Sequence, residues 1–216
     1  MEYDALWCLS AIPARGQPSI PLEDTLMAWA LDPHHTSVAF SAKHLGVATV
    51  RGRFASVTGE IDLDNPDDPT TGSGTITIDA KSIDTGNEMR DKHLRGADFL
   101  DADQYPTITF AVTGVEHHGD DFKVDGDLTI RGVTKPVSLA YEHNGQVTDP
   151  YGNTKVGGTL TGTINRSDWG LTWNVPLGNG GLLVSDKVKL EIDGEIAQAK
   201  DAAEESAAAE TQPAAV

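Results

Sequence analysis

The chain has 216 residues, 38% of them hydrophobic, with 22 glycines and a formal net charge of −17. So acidic a surface repels nucleic acid and anionic membranes as primary partners, and its plainest effect is to keep the protein soluble. Cys8 is the single cysteine, so no internal disulfide forms, and no stretch approaches the ~20 apolar residues of a spanning helix, so membrane insertion is not expected.

Residues 1–26 contain Pro13, Pro18 and Pro21 and show no sustained period. They read as a flexible arm that need not belong to the native protein, because Met27 opens a better start. The first residues lack the basic start and apolar run of a secretory signal, which makes a cytoplasmic location the expectation. A domain is expected over 27–198, and the Ala-, Glu- and Gln-rich tail 199–216 is expected to be disordered.

Between the ends the hydrophobic pattern repeats with period two, as in strands with one apolar and one wet face. The sets are Val38-Phe40-Ala42-His44, Val57-Gly59-Ile61-Leu63, Ile76-Ile78-Ala80 and Ile108-Phe110-Val112. They continue with Phe122-Val124 and Leu128-Ile130, Val137-Leu139-Tyr141, Val156-Leu160-Ile164 and Val188-Leu190-Ile192-Ile196. Turn signals such as His118-Gly119-Asp120-Asp121 and His143-Asn144-Gly145 separate them. About eight strands joined by short turns are antiparallel neighbours, and closing them into a barrel removes exposed edges. A two-sheet sandwich is the alternative.

Two connections are long. Residues 81–105 contain Thr85–Gly96, which reads as one short helix capped by Thr85 or Asn87 and ended by Gly96. Residues 167–183 are rich in Gly and Trp. Their apolar content predicts lids folded over a barrel mouth. Glycines fall on the apolar parity at Gly59, Gly126, Gly158 and Gly162. They either leave room for a ligand or let the sheet coil, and the residues alone leave both open.

The expected tunnel lining is Phe40, Phe54, Ile76, Ile78, Ile108, Phe110, Val124, Leu128, Leu160 and Ile164, with Met89, Leu94, Phe99, Trp169 and Trp173 closing it. His44 is the titratable member of the inward set. His93, with Arg90 or Arg95, is placed to meet a polar head group. His34, His35, His117, His118 and His143 lack metal-ligand spacing and read as surface residues. Asp91 and His93 are an acid/base candidate, but no nucleophile elbow partners them. The structural reading is that Asp91, Arg90 and Arg95 pin the lid by ion pairs while His93 bonds to backbone. No catalytic residue, metal or cofactor is therefore assigned.

The segments Leu31-Asp32-Pro33-His34-His35-Thr36-Ser37, Arg90-Asp91-Lys92-His93-Leu94, Gly126-Asp127-Leu128-Thr129-Ile130-Arg131-Gly132-Val133-Thr134-Lys135-Pro136, and Asn165-Arg166-Ser167-Asp168-Trp169-Gly170 come in one order. In that order they resemble the YceI-like family of lipid- or polyisoprenoid-binding proteins. The resemblance covers about residues 28–198. It implies an all-β, eight-stranded, antiparallel, lipocalin-like β-barrel with a short helical lid insertion. It also implies a non-catalytic carrier holding a polyisoprenoid, isoprenoid quinone or fatty-acyl lipid, and frequent homodimers. The family often carries one His directly followed by Ser, whereas here Thr36 stands between His35 and Ser37. Two other readings remain: an enzyme acting on such a lipid through His93 and Asp91, and a ligand-free structural barrel.

Overall fold

The computed structural model describes residues 28–178 and 180–198. The expected arm, Met27 and the expected tail lie outside them. The strands are β1 (Ala28–Leu31), β2 (Ser37–His44), β3 (Ala48–Phe54), β4 (Val57–Asp62), β5 (Ser73–Asp79), β6 (Ile83–Asp84), β7 (Thr107–His118), β8 (Asp121–Ile130), β9 (Val133–Thr148), β10 (Thr154–Asn165) and β11 (Val184–Gln198). One α-helix among the described residues, α1 (Glu88–Arg95), separates β6 from β7.

Three of the ribbons each consist of two strands, one that falls on an expected apolar set and one, β1, β3 or β6, that lies outside those sets. β1 and β2 form one ribbon: both pair with β11, through Trp29↔Gln198 and Val38↔Ile192. The break at residues 32–36 contains Pro33, which cannot donate to a ladder. β3 and β4 form the second ribbon, pairing with β2 and β1 respectively. β5 and β6 form the third, split by a 3-10 turn at Ala80–Ser82 where the Asp79 carboxylate accepts from the Lys81 N–H at 2.8 Å. With β7 to β11 these make eight ribbons. Each is antiparallel to its chain neighbour, and β1–β11 pairing closes the ring. The barrel is thus an up-and-down meander whose side chains alternate between interior and solvent.

The hairpins follow local chemistry. At the β8–β9 turn, Arg131 and Gly132 have φ of 50° and 72°, the pair of positive values that matches a two-residue turn to the twist of its strands. The core is one cluster from Val38 through Phe110 and Leu128 to Trp169 and Leu171. A second, smaller cluster of Trp29, Leu63 and Val156 sits where β1 closes on β11.

The inward glycines serve a third purpose that parity did not suggest. A Cβ at Gly126 would collide with the Phe110 ring, at Gly158 with the Tyr141 ring and at Gly162 with the Leu139 side chain. These glycines make room for large neighbours on the adjacent strand, a cross-strand filling of space that small residues permit. Coiling enters as well, since the β9–β10 register shifts between Gly157 and Gly158.

Candidate functional site

The barrel interior holds two adjoining chambers, of about 200 Å³ and about 140 Å³. Val38, Ile76, Phe110, Leu160 and Ile192 line both and form the waist between them. The register explains the waist: Val38 pairs with Ile192, Ile192 with Leu160, and Ile76 with Phe110.

The first chamber lies toward α1. Of the residues expected to line a tunnel, Phe40, Phe54, Ile76, Ile78, Ile108, Phe110, Leu128, Leu160 and Ile164 line it, joined by Leu94 and Phe99 from the lid. Val124 lines the second chamber instead. Five expected positions stay out of the lining: His93, which belongs to the lid, and four others. Met89 is 83% exposed, because it lies five positions before the inward Leu94, about 140° around the helix, on another face. Trp169 is buried in the core and donates its indole N–H to the Leu128 carbonyl at 3.0 Å. Trp173 stands behind Phe99, ring centroids 5.2 Å apart. His44 ends β2, paired with Ala48 and with Val184, and of these three Val184 alone is in the lining.

The lid is tied down by hydrogen bonds. Asn87 caps α1 by accepting from the Arg90 N–H at 3.0 Å, and Gly96 follows its last turn. After it, the Leu100 N–H returns to the Leu94 carbonyl and the Ala102 N–H to the Arg95 carbonyl. Asp91 and His93 do not work as a pair. Asp91 is buried and accepts from the Thr85 N–H at 3.0 Å and the Thr85 hydroxyl at 2.5 Å. His93 shares a 2.8 Å hydrogen bond with Asp98 and meets Phe99 and Trp173 edge-on. Arg90 donates to the Thr85 hydroxyl and carbonyl, and Arg95 to the Lys81 and Ile83 carbonyls. These residues do pin the lid, but by bonds to hydroxyl and carbonyl oxygens instead of ion pairs, and His93 uses a side chain where backbone was expected. With Nε and Nη2 of each guanidinium committed there, Arg90 and Arg95 are poorly placed to hold a head group.

Four polar residues in the lining were missed: Arg166 in the first chamber, and Thr36, Ser73 and His143 in the second. Parity extended by one step finds all but Ser73. Arg166 continues Ile164, Thr36 precedes Val38, and His143 continues Tyr141. His143 is therefore half-buried and not a surface residue. Arg166 is 7% exposed and donates to the carbonyls of Ser185, at 3.1 Å, and Leu171. Its guanidinium lies 6.0 Å over the Phe99 ring, and burial lowers its pKa from the ordinary value against the opposing pull of Asp186.

Outside the barrel, Asp32, His35 and Glu195 bring donor atoms within 4.8 Å of one another. The Lys155 ammonium already supplies the cation there, 2.5 Å from Glu195 and 3.4 Å from Asp32. The hydrogen bond from His35, then those from the His34 N–H and Lys155, outweigh desolvation and hold the Asp32 carboxyl far below the usual carboxylate range. The cluster ties the 32–36 break to β10 and β11. No helix among the described residues is long and apolar enough to cross a membrane.

The comparisons agree with this architecture. A UPF0312 protein of Pectobacterium atrosepticum is 40% identical over 138 residues, covering 64% of this chain and 71% of that one. The crystal structure of a Campylobacter jejuni YceI protein superposes with a TM-score of 0.64 at 32% identity, over 73% of this chain and 90% of that one. A polyisoprenoid binding domain from Saccharophagus degradans shares the fold at 18% identity, with a TM-score of 0.59 over 81% of this chain and 100% of its own. The YceI-like domain model matches residues 29–196, and the chain belongs to that family.

Proposed function

We propose that this protein binds a long-chain apolar lipid, of isoprenoid or acyl type, inside the barrel and carries it without chemical change. The observation that carries this reading is the pair of chambers meeting at an apolar waist. A chain threaded through them meets mostly aliphatic and aromatic side chains. Each buried CH₂ contributes roughly 0.8 kcal/mol, from which association and ordering subtract a part. The relative described as a polyisoprenoid binding domain shares the fold, which supports the ligand class. The separate hydrogen-bonding duties of Asp91 and His93 favour binding over acid/base catalysis. Organic extraction of freshly purified protein followed by mass spectrometry tests the proposal. A prenyl or acyl lipid near one per chain is the expected result. Empty extracts, together with no uptake of a prenyl or fatty-acyl probe, overturn it.

A further inference from the structure

The second chamber contains polar side chains that an apolar ligand does not need. Thr36, Tyr141 and His143 all line it, and the register sets them around one floor. His143 pairs with Gly158, and Gly158 with Gly194. Ser37 pairs with Asp193, so Thr36 comes beside Gly194. The two strands between Tyr141-His143 and Thr36 thus contribute only glycine at this level. The Tyr141 ring lies over Gly158, with its hydroxyl in the space a side chain there would take.

The hydrogen bonding around this floor is incomplete. The Thr36 hydroxyl oxygen is buried and has no partner. A buried hydroxyl left unpaired is unfavourable, and such groups are rare in native structures. The Tyr141 hydroxyl has one contact, at 3.3 Å to His143 Nδ1, long for a bond from a hydroxyl donor.

We propose that Thr36, Tyr141 and His143 form a buried subsite for a neutral oxygen function, a hydroxyl or carbonyl, on the lipid that occupies the barrel. The proposal deepens the lipid-binding reading and rests on it. The polar atom of the ligand sits at this floor, and its tail runs through the waist into the first chamber beneath Leu94 and Phe99. An anionic head is disfavoured here. No lysine or arginine lines this chamber, and the loops around it carry Asp64, Asp67, Asp68, Asp120 and Asp149. Bringing a phosphate or carboxylate to this floor strips its water without supplying a countercharge. Burial pushes the Tyr141 phenol up to about 12, so it stays a neutral donor.

The test uses the full chain stripped of lipid and titrated with three probes: geranylgeraniol, the hydrocarbon of the same skeleton lacking the hydroxyl, and geranylgeranyl diphosphate. The wild type binds the alcohol about ten-fold more tightly than the hydrocarbon, the scale of one well-made hydrogen bond, and more tightly than the diphosphate. Tyr141→Phe and Thr36→Val preserve shape and remove a hydroxyl. Each is expected to lose most of that preference while its affinity for the hydrocarbon holds, with thermal unfolding as the control on folding. Unchanged alcohol binding in both variants overturns the subsite and leaves the groups to internal water. So does an equal loss for alcohol and hydrocarbon, or a wild type that prefers the diphosphate. A wild type that binds none of the three probes overturns the lipid-binding reading itself, and the subsite with it.

Discussion

Toward α1 the barrel is closed by side chains carried on a connection, whereas at the far end it is closed by the strands themselves. Leu94, Phe99 and Leu100 cover the first chamber from the lid, and that lid is held largely by bonds within itself and to its own flanks. The far end is sealed where Trp29 and Leu63 meet Val156, with the Trp29 indole donating to the Leu63 carbonyl at 3.0 Å. Closure by ring pairing resists opening, because the ring parts only when β1 gives up a whole backbone ladder, to β4 or to β11. Closure by a lid opens at the expense of a few side-chain contacts. A lipid is therefore expected to enter and leave past α1.

The sharpest way to break this contrast is at the seal. Trp29→Ala removes a buried indole and orphans a carbonyl, and should lower stability by about 3–5 kcal/mol in denaturant unfolding. A loss below about 1 kcal/mol would mean that the β1 closure contributes little.

A smaller effect separates the glycines. Gly126→Ala forces the Phe110 ring out of its place and should cost about 1–3 kcal/mol. Gly194→Ala meets its nearest neighbour, Leu31, at 3.9 Å, ordinary contact distance, and should stay within about 0.5 kcal/mol of wild type. Equal losses at the two positions would refute the claim that inward glycines accommodate neighbouring rings.

At the lid, His93→Ala removes the bond to Asp98 and the edge-on contacts with Phe99 and Trp173. A stability loss of about 1 kcal/mol is expected, with lipid release, followed by transfer to vesicles, several-fold faster. Release that is unchanged by His93→Ala but accelerated by Trp29→Ala would place the exit at the opposite end.

The smallest effect is one of pH. The Asp32 carboxyl is held below its unfolded value, so its contribution is fully present above the ordinary carboxylate range and fades as pH falls through the folded value. Asp32→Asn should unfold earlier than wild type at neutral pH, and the gap should narrow as pH drops below about 4. A gap that is constant with pH would contradict the ionic role of the cluster.

The eight ribbons were legible in the chain because period-two alternation reports which face each residue takes. The helix was legible too, since Asn87 and Gly96 are local capping signals. Alternation does not report register across strands, and so the encounters of Phe110 with Gly126 and of Tyr141 with Gly158 were out of reach. The breaks within ribbons were missed because the inward face changes parity across them: Leu31 and Val38, an odd number of residues apart, line the same chamber on either side of residues 32–36, so no single alternating set spans both. Arg166, Thr36 and His143 were missed for a different reason. Each lies one step beyond an apolar set, where a polar residue looks like the end of a strand although its side chain still points inward. Met89 was misplaced because apolar character was weighed without the helical angle to Leu94.

The central claim is that the interior, and not the surface, takes the lipid. Methyl NMR of the stripped protein titrated with geranylgeraniol tests it most directly. The account predicts shifts at the waist methyls of Val38, Ile76, Leu160 and Ile192, saturating at one lipid per chain, while the exposed Val47 and Leu182 methyls stay in place. Shifts confined to the exposed methyls, or waist methyls unmoved at saturation, would contradict it.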